Sequence, residues 1–244
     1  MGAVEKQAFY LLRKVNKAIR DYDMIHGEDR IAVAVSGGKD SLSLLKLLAH
    51  RRSSVPERYD LLAIHVESDM GCGEHISRRE LERIFQEQAV GYSFEQVALA
   101  EQERHLADRP SCFSCSWNRR KTLFQAAHRL GCTKVALGHR ADDIAQTTLS
   151  NLVYHGRLET MEPKVSLFGG ELAVVRPLAY VPEKELVRFA RACGFPSEAA
   201  PCRGSLTSKR TRMKELLRTL QRECPHVKVN LFRAVQSYSR KDGP

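Results

Sequence analysis

The chain has 244 residues, of which 43% are hydrophobic, so it can bury a substantial core and is not intrinsically disordered. Its formal net charge of +10 favours a polyanionic partner, either nucleic acid or an anionic membrane surface. No uninterrupted apolar stretch approaches the ~20 residues that span a bilayer, and the N-terminal residues lack the apolar region of a signal peptide. We therefore expect a cytoplasmic protein with no membrane partner.

The first segment predicts an amphipathic helix over residues 4–25 with a basic side, because apolar residues recur there at helical spacing. Strands and helices then alternate along the chain. The predicted elements are strand 31–35, helix 40–50, strand 60–66, helix 76–89, strand 92–99, a loop over 100–115, a helix from 117 to about 130, strand 133–138 and helix 142–154.

This alternation predicts an α/β fold with an open parallel sheet and helices on both faces. The remaining chain differs, since residues 165–178 predict a short hairpin, and 181–194 and 206–223 predict helices. We expect three regions: a basic N-terminal helix (1–28), a sheet domain (29–180) and a helical C-terminal extension packed on it (181–244).

A phosphate-binding motif lies between the first strand and its helix, and it reads Ser36-Gly37-Gly38-Lys39-Asp40-Ser41. Adjacent glycines let backbone amides approach an anion, while the hydroxyls, the lysine and the helix N-terminus add donors and positive charge. The motif is not the common P-loop, which needs a glycine at position 33, nor the dinucleotide fingerprint. Asp40 would repel a phosphate, so it is expected either to ligate a bridging Mg²⁺ or to favour the helix N-terminus.

The hexapeptide resembles the signature of the PP-loop ATP pyrophosphatases. Further motifs, in the same order along roughly residues 30–235, are similar to one branch, the tRNA 2-thiocytidine synthetase family. They are Cys112-Phe113-Ser114-Cys115 with Arg119-Arg120, Gly138-His139-Arg140-Ala141-Asp142-Asp143, Gln146-Thr147, Arg176-Pro177-Leu178-Ala179-Tyr180 and Pro201-Cys202.

The resemblance implies a Rossmann-like ATP-binding domain whose enzyme cleaves ATP between its α and β phosphates. It also implies that a tRNA base oxygen, expected to be the C2 oxygen of cytosine, is adenylated and replaced by sulfur. ATP, Mg²⁺ and a [4Fe–4S] cluster are the expected cofactors. The expected partners are tRNA and a sulfur donor, either a cysteine desulfurase or sulfide, with a homodimer as the expected assembly. Two alternatives stay open: a PP-loop enzyme that thiolates or aminates another substrate, and a zinc-bearing RNA-binding protein without turnover.

Ligands of an open parallel sheet bind beyond the carboxyl ends of its strands, so the segments after the strands are expected to converge on one crevice. The residues expected to bind the nucleotide are Ser36, Gly37, Gly38, Lys39, Asp40, Ser41, His65, Gly138 and His139. Those expected to act in catalysis are Lys39, Asp40, Asp142 and Asp143. For the last two, the functional interpretation is that they ligate Mg²⁺ or contact the ATP-binding loop, and the alternative is that they are ordinary acidic residues of a first helical turn.

Cys112 and Cys115 have the spacing that lets two thiolates point at one metal centre. The resemblance implies Cys202 as the third ligand, although the family commonly shows PCxxCGS where this chain reads PCRGS. Three cysteines leave one iron open, which could bind sulfide. Zinc is the alternative, and it could recruit His105, His128 or His139.

The site is flanked by basic residues, which are expected to contact the RNA backbone. They are Arg119, Arg120, Lys121, Arg176 and the run Lys209-Arg210-Thr211-Arg212. Arg140 stands where the family has a second histidine, and its guanidinium offers a fork to phosphate. Trp117 and Tyr180 either stack on a base or pack in the core.

Overall fold

The computed structural model describes residues 2–67, 76–97, 112–196 and 209–239. Its strands are β1 (Arg30–Ala34), β2 (Asp60–Glu67), β3 (Gly91–Gln96), β4 (Lys134–Ala136), β5 (Lys164–Leu167) and β6 (Leu172–Val175). Its α-helices are α1 (Ala3–Asp21), α2 (Lys39–Arg52), α3 (Arg78–Glu87), α4 (Cys112–Arg129), α5 (Ala141–His155), α6 (Glu183–Ala192), α7 (Lys209–Glu223) and α8 (Val227–Ser239).

The described strands form one sheet in the order β3-β2-β1-β4-β6-β5, and every neighbouring pair is parallel except β5 with β6. The chain runs outward from β1 to β3 and then returns to place β4 on the other side of β1. The loops after β1 and β4 therefore flank the topological switch point, where open sheets of this kind bind ligands. The predicted fold class is confirmed, with the predicted hairpin adding one antiparallel edge strand.

Alternate residues of β1 face opposite layers of the fold. Ile31 and Val33 are buried in a cluster with α1, α2, α3 and α6, whereas Ala32 is buried against α4. Burial on both faces explains why the first strand reads as a continuous apolar run rather than an alternating one.

The N- and C-terminal regions contribute to the core of the sheet. Val15 of α1 and Phe189 of α6 are fully buried in the same cluster as Leu45 of α2. Ala145 and Leu149 of α5 pack against Met213 and Leu217 of α7, forming a separate apolar seam that attaches the C-terminal helices. The region boundaries at residues 28 and 180 stay a prediction.

The largest departures from the predicted elements concern α1, β3, α4 and α8. Helix α4 begins at Cys112, so the C-x-x-C motif forms its first turn instead of the preceding loop. Helix α8 was not predicted, and α1 ends at Asp21 instead of near residue 25. Strand β3 ends at Gln96, and the last two residues of the predicted strand 92–99 lie outside the described ranges. In the described ranges, no helix combines the length and apolar character needed to cross a bilayer.

Replacing Phe189 by alanine is expected to lower the free energy of unfolding by about 3–5 kcal/mol, because it leaves a cavity beneath α6. Urea denaturation of the purified chain measures the change. The matched control is Phe168→Ala at a side chain that is 62% exposed, which should shift stability by less than about 0.5 kcal/mol. Equal effects of the two substitutions would contradict the burial of α6 in the core of the sheet.

Candidate active site at the switch point of the sheet

The loop after β1 is shaped by hydrogen bonds between its own residues. The hydroxyl of Ser41 accepts from the backbone N–H of Ser36 at 3.1 Å and donates to the carbonyl of Gly38 at 2.9 Å. Gly37 has a φ of 82°, and a Cβ there would lie 2.6 Å from Cγ2 of Ile76. Ser41 therefore braces the turn that leads into α2, whose first amides have no intrahelical partner and can bind an anion.

Gly138 brings the loop after β4 into contact with the first turn of α2. A Cβ at this position would lie 3.2 Å from both the carbonyl carbon of Asp40 and the backbone nitrogen of Ser41. A Cβ at this distance would be tighter than most, so glycine favours the close approach of the two segments. The two predicted motifs, which are 100 residues apart in sequence, are thus in direct contact at the switch point.

A buried arginine joins the N-termini of three helices. Arg140 is 5% exposed, and its guanidinium lies 2.5 Å from Oδ2 of Asp40 and 2.9 Å from Oε1 of Glu183. Its backbone N–H donates to Oδ2 of Asp143 at 3.1 Å. Burial alone would lower the pKa of Arg140, but Asp40, Asp143 and Glu183 raise it above its ordinary value. The fork expected to face a phosphate is therefore engaged by carboxylates, and it stays charged.

Asp142 and Asp143 are both buried and bound to basic side chains of the C-terminal helices. Asp142 accepts the backbone N–H of Glu183 at 2.7 Å and pairs with Lys228, while Asp143 pairs with Arg210. Burial would raise the pKa of Asp143, but the adjacent arginines lower it, so the carboxylate remains ionised. These contacts anchor α6, α7 and α8, and the catalytic role of the two aspartates stays a prediction.

Asp40 has one engaged and one free carboxylate oxygen. Oδ2 contacts Arg140 and lies 3.4 Å from Nζ of Lys39, whereas Oδ1 is buried with no hydrogen-bond partner in the described part of the chain. A buried carboxylate oxygen without a donor is unfavourable unless a ligand completes it.

His139 is a neutral imidazole at pH 7. Burial, reinforced by the positive charge of Arg176, lowers its pKa to about 4, and its Nδ1 is buried without a hydrogen-bond partner among the described residues. His65 is also buried, and its Nδ1 donates to the carbonyl of Val35 at 2.6 Å. The ring of His65 thus supports the loop after β1, while its expected contact with the nucleotide stays a prediction.

The cysteines expected to bind a metal are only partly described. Cys112 and Cys115 lie in the first turn of α4, and Cys202 lies outside the described residues, as does His105. His128 is sixteen residues beyond Cys112 on the same helix, ~24 Å away at a helical rise of about 1.5 Å per residue. It therefore cannot share a zinc ion with Cys112. Within the described ranges, no three His, Cys, Asp or Glu side chains are grouped to hold a metal.

Sequence reasoning did not foresee several charged residues that complete this site. Glu183, Lys214 and Lys228 lie outside the motifs, and Lys214 contacts Glu183 at 3.3 Å. The one available signal is the position of Glu183 at a helix start after Pro182, where an acidic residue is favoured.

The model of the PP-loop domain family matches residues 9–222, so the chain is a PP-loop protein. The tRNA-cytidine(32) 2-sulfurtransferase of Citrifermentans bemidjiense is 38% identical over 243 residues, which cover 97% of this chain and 94% of that protein. The protein of the same name from Anaeromyxobacter dehalogenans (strain 2CP-C) is 39% identical over 92% of this chain and 78% of its own length. With these relatives, the chain belongs to the tRNA-cytidine(32) 2-sulfurtransferase family, which confirms the resemblance found in the sequence.

Among solved structures, the chain is similar to the U34-tRNA thiolase NcsA from Methanococcus maripaludis with its [4Fe-4S] cluster. The TM-score is 0.77 at 22% identity, covering 96% of this chain and 79% of that one. At this identity the similarity shows the fold.

Replacing Arg140 by alanine is expected to lower the free energy of unfolding by about 3–5 kcal/mol, because it leaves buried carboxylates without their cation. Urea denaturation at pH 7 measures the loss. Arg157→Ala is the control, since that side chain is 69% exposed and lies 4.0 Å from Glu159. A wild-type stability for the Arg140 variant would show that the ion-pair network does not hold the helices together.

Proposed function

We propose that the chain is an ATP-dependent enzyme that replaces the C2 oxygen of a tRNA cytidine with sulfur and releases pyrophosphate and AMP. The observation that carries the proposal is the contact of Gly138 with the first turn of α2, which joins both motifs at the switch point. The names of the relatives and their identity of 38–39% support the substrate and the reaction.

In the proposed reaction, the C2 oxygen of cytosine attacks the α-phosphorus of ATP. The bond from that phosphorus to the oxygen that bridges to the β-phosphate breaks, and pyrophosphate leaves. A sulfur nucleophile then bonds to C2, and AMP leaves with the original oxygen. The loop and the charged residues of the chain would position the reacting groups and stabilise the negative charge that develops on the phosphates.

Lys39 and the amides at the start of α2 would hold the leaving pyrophosphate. The Lys39 side chain is one-fifth exposed, and its one carboxylate contact among the described residues is with Asp40 at 3.4 Å. Its ammonium can therefore face both the loop and a bound phosphate.

The residues present fit a Mg²⁺ ion beside Asp40. Oδ1 of Asp40, which is buried and has no hydrogen-bond partner among the described residues, is a hard oxygen ligand of the kind that Mg²⁺ prefers. One or two carboxylates plus substrate phosphates complete such sites. Mg²⁺ would neutralise charge on the phosphates when bound. Asp142 and Asp143 fit less well, because each already accepts from backbone and basic donors.

The position of α4 fits a thiolate-bound cluster at the edge of the site. Arg119, one turn beyond the C-x-x-C motif, donates to the carbonyl of Val66 at 3.1 Å, which places the start of α4 at the carboxyl end of β2. Cys112, Cys115 and Cys202 would hold the [4Fe–4S] cluster, which would supply an open iron to bind sulfide. The NcsA structure supports this assignment by its fold and its named cluster.

The basic surface around the site would contact the tRNA backbone. Trp117 is 58% exposed on α4, so it can stack on a base. Tyr180 instead packs against Tyr22 and Phe232, with ring centroids 5.9 Å from each. Core packing is therefore the role of Tyr180.

Substituting Lys39 by alanine is expected to reduce tRNA-dependent pyrophosphate release by about 10²–10³-fold, since it removes a donor to the leaving group. A coupled pyrophosphate assay with tRNA measures the rate, and mass spectrometry of the nucleosides measures 2-thiocytidine. The control is Lys6→Ala, at an exposed lysine of α1. Pyrophosphate release at the wild-type rate by the Lys39 variant would overturn the proposed role of the loop.

Anaerobic purification is expected to yield about four irons and matching acid-labile sulfide per chain. Cys112→Ala and Cys115→Ala should each lose the iron, whereas Cys224→Ala should keep it, because Cys224 is exposed at the end of α7. Iron and zinc are measured by mass spectrometry of the metals. If the purified wild-type chain contains zinc and no iron, the cluster assignment is wrong and the zinc alternative takes its place.

A further inference from the structure

Arg176 follows β6 directly and lies next to His139 at the carboxyl edge of the sheet. The backbone N–H of Leu137 donates to the carbonyl of Val175 at 2.9 Å, so the chain leaves β4 and β6 side by side. The order of loops along this edge is therefore the phosphate-binding loop after β1, then His139, then Arg176.

The guanidinium of Arg176 has no carboxylate partner in the described part of the chain. It is half-buried, donates to the backbone carbonyl of Glu162, and keeps a buried Nε with no hydrogen-bond partner there. Burial, with a contribution from Arg120, lowers the pKa of Arg176 to about 10, although the carboxylate of Glu162 acts in the opposite direction. By contrast, each basic side chain of the ion-pair network, from Arg140 to Lys228, has a carboxylate in contact.

Two further groups lie near Arg176, and one of them, His139, is also close to the carboxylate of Asp143. Nδ1 of His139 is buried and unpartnered among the described residues, and the neutral imidazole can donate a hydrogen bond there. Arg120, on α4, is exposed and forms no ion pair within the described ranges, and its charge is felt at both Arg176 and His139. A partly buried cation that forms no ion pair is unfavourable, so an anion from outside the chain would complete this cluster.

We infer that Arg176, Arg120 and His139 form a second phosphate subsite, next to the loop that holds the pyrophosphate of ATP. A guanidinium offers two parallel donors that match the oxygens of a phosphate, and two arginines on different elements can hold one group from two sides. The identity of the phosphate rests on the proposed function. It belongs either to the polyphosphate of ATP or to the tRNA backbone beside the target nucleotide.

The test uses two single variants of the full chain, Arg176→Gln and Arg120→Gln. A third single variant, Arg58→Gln, is the matched control. Arg58 is exposed at the opposite edge of the sheet, just before β2. Calorimetry measures the binding of inorganic pyrophosphate, and fluorescence anisotropy measures the binding of tRNA between 50 and 200 mM salt.

At least one probe is expected to bind about tenfold more weakly to both site variants, while the control stays within about twofold of wild type. If the phosphate is that of ATP, pyrophosphate binding falls and tRNA binding is kept. If it is that of RNA, tRNA binding falls, and the slope of log affinity against log salt drops by about one for each arginine replaced.

Wild-type binding of both probes by the site variants would overturn the subsite. Arg120 is exposed, so its variant tests the proposal even if Arg176→Gln fails to fold. The proposed function is judged separately, by pyrophosphate release from the wild-type chain with tRNA. If the wild-type chain binds pyrophosphate through Arg176 but never forms pyrophosphate from ATP, the subsite is retained and the proposed reaction is refuted.

Discussion

The site depends on one buried cation, the guanidinium of Arg140. Burying a charge costs several kcal/mol unless partners surround it, and here the partners come from three helices: Asp40 of α2, Asp143 of α5 and Glu183 of α6. Each of these carboxylates lies in a first helical turn, where the helix dipole favours negative charge. One arginine thus draws three helix N-termini to one point, and the phosphate-binding loop is attached to one of them.

The clustering of carboxylates around Arg140 also explains why the C-terminal helices are part of the site. Arg140 alone cannot balance the carboxylates around it, and the remaining compensation comes from α7 and α8. The pairs are Arg210 with Asp143, Lys214 with Glu183 and Lys228 with Asp142. The apolar seam of α5 with α7 holds the helices against the sheet, and the ion pairs set how they lie over the crevice. Charge balance therefore connects the ATP-binding loop to a region that composition alone would separate from it.

Elements with strong local signals were predictable, whereas contacts made across the sheet were not. The run before Ser36 is buried on both faces, and Gly37 requires a positive φ, so β1 and its turn could be read from sequence. Helix α8 is rich in β-branched and polar residues and gains its burial from packing on α5, which no local pattern shows. The role of Arg140 could not be predicted, because Asp40 is 100 residues away and the contact exists only once β4 pairs with β1. The pairing of basic residues of α7 and α8 with these carboxylates could not be predicted for the same reason.

The position of Arg140 also bears on how the proposed chemistry handles protons. The family described in the sequence analysis has a histidine at this position, and a histidine could transfer a proton. Arg140 is held by three carboxylates and stays charged, so it cannot transfer a proton. His139 is neutral at pH 7 and faces arginines, so it is suited to donating a hydrogen bond rather than to holding a positive charge. The proposed first step needs no base, because the C2 oxygen of cytosine is a carbonyl oxygen and carries no proton when it attacks phosphorus. What that step needs is stabilisation of the charge that builds on the phosphates. A site that uses its buried arginine to hold helices in place would meet that requirement without a general base, if its amides, Lys39 and the proposed Arg176–Arg120 subsite receive the phosphates.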